Sequence, residues 1–579
     1  MRWIESGDVR LAVLEEGDPD DPTILLIHGY PDTHRVWDEV AGLLRDRFHV
    51  VRYDVRGAGD SSAPRDTGHY TLDHLAADLV AVLDAIGKPA VHLVGHDWGS
   101  VQGWDVVARP GLRDRIISFT GFGGPGVAQT TSFARRGRRR DVAGQLARSW
   151  YIGAFQTPYL PELAWRTVMP GLLERTLRLD GVQPRPGHPA PTLEKDAANG
   201  LWLYRRNIGD RSGGEAEPDI DVPVQLIDAT RDRFVSPALV AWLGRGVRRF
   251  WHRRIAAGHW AQRTHPAVVA RMIAEFAEHT GGGPAARSLR AALVKEGRRA
   301  FQDRLVVITG AGSGIGRATA RAFAAHGAEV VCADLDADAA ARTADGIAKD
   351  LAGTAHAVRV DVADAAQMED FARNIRTEYG VPDIVVNNAG IAVSGGFLDH
   401  SVDDWRRTID VNLWGVVHGC RLFAAQMVER GEGGHIVNIA SLAAFAPSRV
   451  LPAYSTSKAA VKMLSDCLRA ELAGKGIGVS AICPGFVSTR IARNATYVGA
   501  GDLREAAERG LERRGYPPER VAAHILRAVH RDQPVVPVNA EGKIGYALSR
   551  ISPGAMRGLA RLSGVSERAV SRRNKPIDR

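Results

Sequence analysis

Twice in this chain a short aliphatic run ends in a glycine-framed turn that opens a helix, and the two turns lie in different halves. The first joins Val91–Val94 to Gly95-His96-Asp97-Trp98-Gly99; the second joins Leu305–Thr309 to Gly310-Ala311-Gly312-Ser313-Gly314-Ile315-Gly316. A strand that turns at glycine directly into a helix belongs to a parallel sheet covered by helices. A chain of 579 residues is too long for one core and fits two domains of roughly 280 residues each. The fold class expected is α/β, with two domains.

Further aliphatic runs fit the same plan. Strands are predicted at Thr23–His28, His49–Tyr53 and Val224–Asp228, then at Glu329–Ala333, Ile384–Asn387, His435–Ile439 and Gly478–Ile482. The stretch His279-Thr280-Gly281-Gly282-Gly283-Pro284 stops a helix over Val268–Glu278 and marks the boundary. The first domain is placed at residues 1–280, a basic helical linker at 281–302, the second domain at 303–540 and a basic extension at 541–579. Residues 130–215, rich in Arg, Trp and Pro, interrupt the strand–helix alternation and are expected to form a helical cap; the run Arg135–Arg140 within it is expected to be a solvated face.

Net charge is +9, scattered rather than gathered into a nucleic-acid module, so no nucleic-acid partner is expected. The four cysteines, Cys332, Cys420, Cys467 and Cys483, match no zinc spacing. The first residues lack the apolar core of a signal peptide, and no apolar run reaches the ~18 residues that cross a bilayer. A cytoplasmic protein is expected, with peripheral membrane contact through residues 541–579 as the sharper alternative to a packed tail: the extension carries nine Lys/Arg against three Asp/Glu, interleaved with apolar residues.

Asp97 holds the nucleophile position of the first turn. Serine attacking a saturated carbon would leave an ether; a carboxylate leaves an ester, which water can cleave. An Asp nucleophile therefore points to displacement at sp³ carbon, in an epoxide or an alkyl halide. Asp232 follows a late strand and can orient His259, the candidate base, while the N–H groups of Tyr30 and Trp98 can form an oxyanion hole. With Asp54–Ser61 these motifs resemble the epoxide hydrolase branch of the α/β-hydrolase fold. That resemblance implies two cap tyrosines as acids. Tyr204 matches one; Ala154 stands where the other is expected, with Tyr151 and Tyr159 as nearby substitutes. Haloalkane dehalogenases also place Trp after the nucleophile, but usually have Asn where this chain has Tyr30.

In the second half, Gly310, Ser313, Gly314, Ile315 and Gly316 can cradle a pyrophosphate at a helix N-terminus. Asp334, about 20 residues on, favours NAD over NADP by repelling a 2′-phosphate. Asp361 and Val362 would flank the adenine, and Asn388, Ala389 and Gly390 follow the next core strand. Tyr454 and Lys458, four apart on one helix face, form an acid–base pair in which the ammonium brings the phenol toward its working range. Ser441 can bind the substrate oxygen, Asn412 can complete a proton relay, and Pro484, Gly485, Val487 and Thr489 would border the nicotinamide. Residues 303–540 thus resemble the short-chain dehydrogenase/reductase family, which implies homo-oligomers.

The whole layout resembles an actinobacterial two-domain type, epoxide hydrolase D, in which an epoxide hydrolase is fused to a short-chain dehydrogenase. The resemblance implies small-molecule, hydrophobic substrates: an epoxide opened to a vicinal diol, and an alcohol or ketone interconverted with NAD(P). The alternatives are a dehydrogenase carrying an impaired hydrolase domain as scaffold, and a haloalkane dehalogenase in the first half.

Overall fold

The computed structural model describes residues 1–208, 218–489, 491–499, 515–552 and 554. They divide into two compact units, Met1–Gly297 and Arg298–Arg579.

The first unit is built on nine strands: β1 (Arg2–Ser6), β2 (Val9–Glu16), β3 (Thr23–Ile27), β4 (His49–Tyr53), β5 (Val91–His96), β6 (Ile116–Phe122), β7 (Val224–Ala229), β8 (Phe250–Ile255) and β9 (Leu293–Val294). They lie in the order β1-β2-β4-β3-β5-β6-β7-β8-β9. Strands β3 to β8 pair in parallel, while β1, β2 and β9 are antiparallel additions at the edges. Every residue of β3, β4 and β5 is buried, because helices cover both faces of the sheet and leave no polar side. The helix predicted at Val268–Glu278 runs from Pro266 to Thr280.

The segment expected to be a helical linker is partly something else. Helix Arg287–Ala292 buries Leu289 against Trp251 and Phe276, and β9 then pairs with the edge of β8. An unpaired β8 edge offers free backbone donors and acceptors, and two residues of linker satisfy some of them. Between β6 and β7 the chain leaves the sheet for helices, six among the described residues, from Val127–Arg136 to Leu193–Asn207. They form the expected cap; its last stretch, 209–217, lies outside the described residues.

The second unit has β10 (Leu305–Thr309), β11 (Glu329–Asp334), β12 (Ala355–Arg359), β13 (Ile384–Asn387), β14 (Val393–Ser394), β15 (Gly434–Ile439), β16 (Ile477–Cys483), β17 (Thr496–Tyr497) and β18 (Val535–Pro537). Seven of them form a parallel sheet in the order β12-β11-β10-β13-β15-β16-β18, and β14 pairs with β17 in a small ribbon. The strand order reverses between β10 and β13, which opens a crevice at their C-terminal ends where doubly wound folds hold a ligand. The extension is not all tail: helix Ala540–Ile551 sets Tyr546 on Phe445, with ring centroids 5.1 Å apart. Residues 555–579, most of the segment on which a peripheral anchor was expected, lie outside the described residues.

Candidate active sites

Asp97 sits at the tip between β5 and helix Trp98–Ala108 with φ of 51°, a left-handed conformation that costs a non-glycine residue about 1–3 kcal/mol. The turn is held from all sides. A Cβ on Gly95 would fall 2.3 Å from the Gly99 carbonyl oxygen, and one on Gly99 would fall 2.2 Å from that of Ile27. Packing this close forces the carboxylate out of the sheet. There Oδ1 accepts the Tyr30 N–H at 2.7 Å, and the Trp98 N–H bonds the same carboxylate. Both predicted oxyanion donors therefore converge on Asp97.

His259 faces it across the cleft. Its Nδ1 donates to Asp232 Oδ2 at 2.8 Å, and its Nε2 lies 3.8 Å from Asp97 Oδ2. Asp232 is fixed in turn by the N–H groups of Phe234 (2.7 Å) and Val235 (3.2 Å). Burial is the largest influence on His259 and disfavours its charge, but Asp232, Asp97 and Asp32 outweigh it and raise the pKa to about 9. Burial is also the largest influence on Asp97 and raises it to about 6, against the pull of His259 and the two N–H donors.

Sequence reasoning missed Asp180. This last residue of cap helix Met169–Asp180 accepts the His259 backbone N–H at 2.9 Å. It packs so closely that a Cβ on Gly258 would lie 2.4 Å from its carboxyl group. No motif announced it, because cap and histidine meet only in three dimensions.

The cap tyrosines resolve differently from the motif. Tyr204 is buried, its ring edge-on to Trp98 (5.0 Å) and Tyr30 (5.3 Å). Ala154 faces solvent on helix Trp150–Phe155, so its methyl group is no gap in the site. Tyr151, on another side of that helix, packs on Phe234 (5.7 Å), hydrogen-bonds Tyr204 and senses the charges of Asp97 and Asp232. Tyr159 is 85% exposed and takes no part. Burial raises both Tyr151 and Tyr204 above the ordinary phenol range, so each keeps its proton at neutral pH.

In the second unit Gly310 has φ of 65°, and a Cβ there would lie 2.9 Å from Ala389 Cα; one on Gly316 would lie 2.0 Å from the Gly310 carbonyl oxygen. Gly314 faces Thr489, and Ser313 begins helix Gly314–Ala325 without capping it by its side chain, so the N–H groups through Ile315 lack that partner. Asn388 braces this loop: its Nδ2 donates to the carbonyls of Thr309 (2.9 Å) and Gly310 (3.0 Å), while the Ala389 N–H reaches Thr309 Oγ1 at 3.2 Å. Asp334 closes β11 and accepts the Gly312 N–H at 2.7 Å. Asp361 accepts from the Ala363 N–H at 3.0 Å, and the Val362 carbonyl accepts from His418 at 3.1 Å.

Tyr454 and Lys458 share helix Pro452–Leu472, with Nζ 5.8 Å from the phenol ring. Lys458 donates to the Ile439 carbonyl at 2.8 Å, and burial lowers it to about 8. Tyr454 moves the other way from the sequence expectation: burial is its largest influence and raises it, opposed by a hydrogen bond with Ser441. The Lys458 ammonium, held by the Ile439 carbonyl, does not offset that burial. Asn412 lies in a π-helical turn, Asp410–Trp414, bonded to Ile391 N–H (2.8 Å) and Ile391 carbonyl (2.9 Å) and, at 3.2 Å, to Ser457. The same carboxamide and Lys458 Nζ approach Gly390, 3.2 and 3.5 Å from where its Cβ would be. The Pro484 carbonyl accepts from the Leu442 N–H at 2.7 Å. Gly485 N–H donates to Asn539 Oδ1 at 3.1 Å, Val487 is buried, and the Thr489 N–H bonds the Val487 carbonyl at 2.8 Å. Asn539, unremarked in the sequence, ties this loop to helix Ala540–Ile551 by capping it.

A nucleophile elbow under a helical cap and a glycine cradle beside a Ser–Tyr–Lys set define an α/β-hydrolase joined to a short-chain oxidoreductase. The family model for the alpha/beta hydrolase fold matches residues 22–266, and that for short chain dehydrogenases matches residues 304–497. Over 583 aligned residues the chain is 42% identical to "Probable oxidoreductase EphD" of Mycobacterium tuberculosis and of Mycobacterium bovis, covering 97% of this chain and 98% of the relative. Meso-2,3-butanediol dehydrogenase of Serratia marcescens is 37% identical over 38% of this chain and 86% of its own. A solved short-chain dehydrogenase/reductase from Burkholderia phymatum in complex with NAD is 30% identical, covering 48% of this chain and 98% of its own, with a TM-score of 0.40. The chain belongs to the EphD family of fused hydrolase–dehydrogenases: it is a hydrolase and a nicotinamide-dinucleotide oxidoreductase on one polypeptide.

Proposed function

We propose that the first unit opens an epoxide to a vicinal diol through an ester on Asp97, and that the second oxidises or reduces an alcohol or ketone with NAD(H). The observation that carries the first half is a carboxylate at the elbow facing two protonated phenols. Asp97 Oδ2 attacks one ring carbon, the C–O bond breaks, and the alkoxide takes a proton from Tyr204 or Tyr151. Oδ1 stays on the Tyr30 and Trp98 N–H groups throughout. Water then adds to Cγ as His259 accepts its proton; the Cγ–Oδ2 bond breaks, the diol leaves with the original Oδ2 protonated by His259, and the second water proton returns to the phenolate, leaving Asp97 as a carboxylate. Esterification cancels the Asp97 charge that helps hold His259 protonated, so more of the histidine is neutral and able to accept a proton once one must be taken from water. A dehalogenase would need only halide-binding N–H groups, and the tyrosine pair favours the epoxide.

The test is a trap. With His259→Gln and a hydrophobic epoxide, peptide mass spectrometry is expected to find the epoxide's mass on the peptide holding Asp97. Unmodified peptide together with intact epoxide turnover would overturn the ester.

The residues of the second unit fit a dinucleotide: Gly310, Gly312 and Gly316 pack the loop so closely that a Cβ on any of them would strike its neighbours, and the N-terminus of helix Gly314–Ala325 that the loop opens has no side-chain cap. When bound, that cofactor accepts or donates hydride. Gly310, Ser313, Gly314, Ile315 and Gly316 would hold its pyrophosphate, Asp334 its adenosine ribose, Asp361 and Val362 its adenine, and Asn388–Gly390 would line the crevice. Pro484, Gly485, Val487 and Thr489 would border the nicotinamide. Lys458 would hold the nicotinamide ribose, Ser441 the substrate oxygen, and Tyr454 would move the hydroxyl proton, with Asn412 keeping the relay in place. The Asp334 carboxylate favours NAD: Asp334→Ala is expected to raise the NADP/NAD ratio of kcat/KM about tenfold or more, because it removes a like-charge contact with the 2′-phosphate. An unchanged ratio would leave that preference without a cause. An alcohol of the diol can serve as the second unit's substrate, and NADH formation from an epoxide plus NAD⁺ reads that coupling.

A further inference from the structure

We infer that the outer face of the hydrolase cap is a docking surface for an anionic lipid bilayer. Two successive cap helices, Leu160–Thr167 and Met169–Asp180, pack against each other. Their inward sides bury Trp165 and Leu177, which is what the fold needs of them. Their outward sides are apolar as well. Leu160, Leu163, Val168, Leu172 and Leu179 are all more than half exposed, and Trp150 on the preceding helix is 72% exposed. Val168, Leu172 and Leu179 recur at spacings of four and seven, so they form one stripe. Scattered exposed leucines are ordinary, but clustered ones on adjoining helices mark a surface meant to be covered.

The charges on these helices and elsewhere on the cap say by what. Arg166, Arg175 and Arg178 stand exposed on the two apolar helices themselves, and Arg135, Arg136, Arg138, Arg139 and Arg140 are exposed on the first two cap helices and the turn between them. Between residues 135 and 180 the one exposed acid is Glu174, 3.4 Å from Arg178. Short helices with leucine and tryptophan outward and arginines alongside match the interface of an anionic bilayer, where aliphatic chains enter the acyl boundary and guanidinium groups meet phosphates. No described helix is long and apolar enough to cross a membrane, so the contact is with the surface. This places the contact on the cap rather than on residues 541–579.

The test uses the full chain and sedimentation with vesicles of phosphatidylcholine, with or without phosphatidylglycerol. Binding is expected only with phosphatidylglycerol, weakening as salt rises. Leu172→Asp with Leu179→Asp is expected to lower partitioning roughly tenfold or more, the loss of two leucines' apolar burial. Arg166→Glu with Arg175→Glu, which leaves the exposed leucines in place, is expected to lower it too, and a chain ending at residue 554 to bind as the full chain does. Circular dichroism and thermal melting confirm that each variant is folded. Three results would each overturn the inference: no binding by the full chain, binding undiminished in both double variants, or binding lost only on truncation. A double variant whose change is in oligomeric mass on gel filtration, with vesicle binding intact, assigns the face to protein contact instead and overturns it equally.

Discussion

Asp97→Ala is expected to lower epoxide hydrolysis by about 10⁴-fold or more, as removal of a nucleophile does elsewhere, while leaving NAD-dependent activity of the second unit unchanged. The size follows from the geometry. In the proposed mechanism Asp97 supplies the attacking oxygen and the ester carbonyl, and its Oδ1 is the atom held by the Tyr30 N–H, so nothing nearby can substitute. His259 and Asp232 would remain paired and could at most activate water directly. Labelled water gives the complementary reading in the native protein: after many turnovers with epoxide, heavy oxygen should be found in the side chain of Asp97. Absence of label would mean that water attacks the epoxide itself. The second step also carries a pH signature. His259 is raised to about 9, with Asp97 contributing. Ester hydrolysis needs neutral His259, so its rate should rise with pH and level off below pH 9, since the ester has removed the Asp97 charge. A single-turnover rate that falls over that range would exclude His259 as the base.

Tyr454→Phe is expected to reduce hydride transfer roughly 10³-fold, within the range of a lost general acid–base, with binding of the dinucleotide nearly intact. Removing the hydroxyl takes away the proposed proton carrier but not the ring, which still packs beside Lys458. Lys458→Met should act differently. It deletes both the cation and the bond to the Ile439 carbonyl, so it should weaken dinucleotide binding as well as slow the reaction. Fluorescence titration separates the two variants; equal loss of binding in both would argue that Tyr454 is structural. Burial raises Tyr454 above its ordinary range, so in this reading the positive charge of oxidised nicotinamide must add to Lys458 for the phenolate to form.

The buried parallel strands were the most legible part of the fold. β3 and β10 are nearly continuous aliphatic runs, and β4, β5 and β7 keep aliphatic cores broken by single polar residues, because both faces of each sheet are covered. Most of the strands that escaped notice sit at edges or carry charge; β6 does neither, but Ser118, Thr120 and Gly121 break its aliphatic run. Strand β8 contains Arg253 and Arg254, and Arg253 is buried only because Glu275 pairs with it at 2.6 Å. Strand β9 has two residues, too few for any pattern. The same division runs through the sites. Asp97, Tyr454 and the glycine loop announce themselves because local backbone geometry demands those residue types in that order.

The order of residues alone determined that there are two α/β units, which carboxylate stands at the elbow, and which tyrosine and lysine share a helix face, since each depends on neighbours within a few positions. Tertiary structure decided what separate segments do to one another. It put Tyr151 rather than Ala154 beside Tyr204, set Asp180 of the cap on the backbone of His259, and capped helix Ala540–Ile551 through Asn539 beside the Gly485 loop. The physical reason is reach: hydrogen bonds and ring contacts act over a few ångströms of space, and only folding brings residues 79 or 54 positions apart within it.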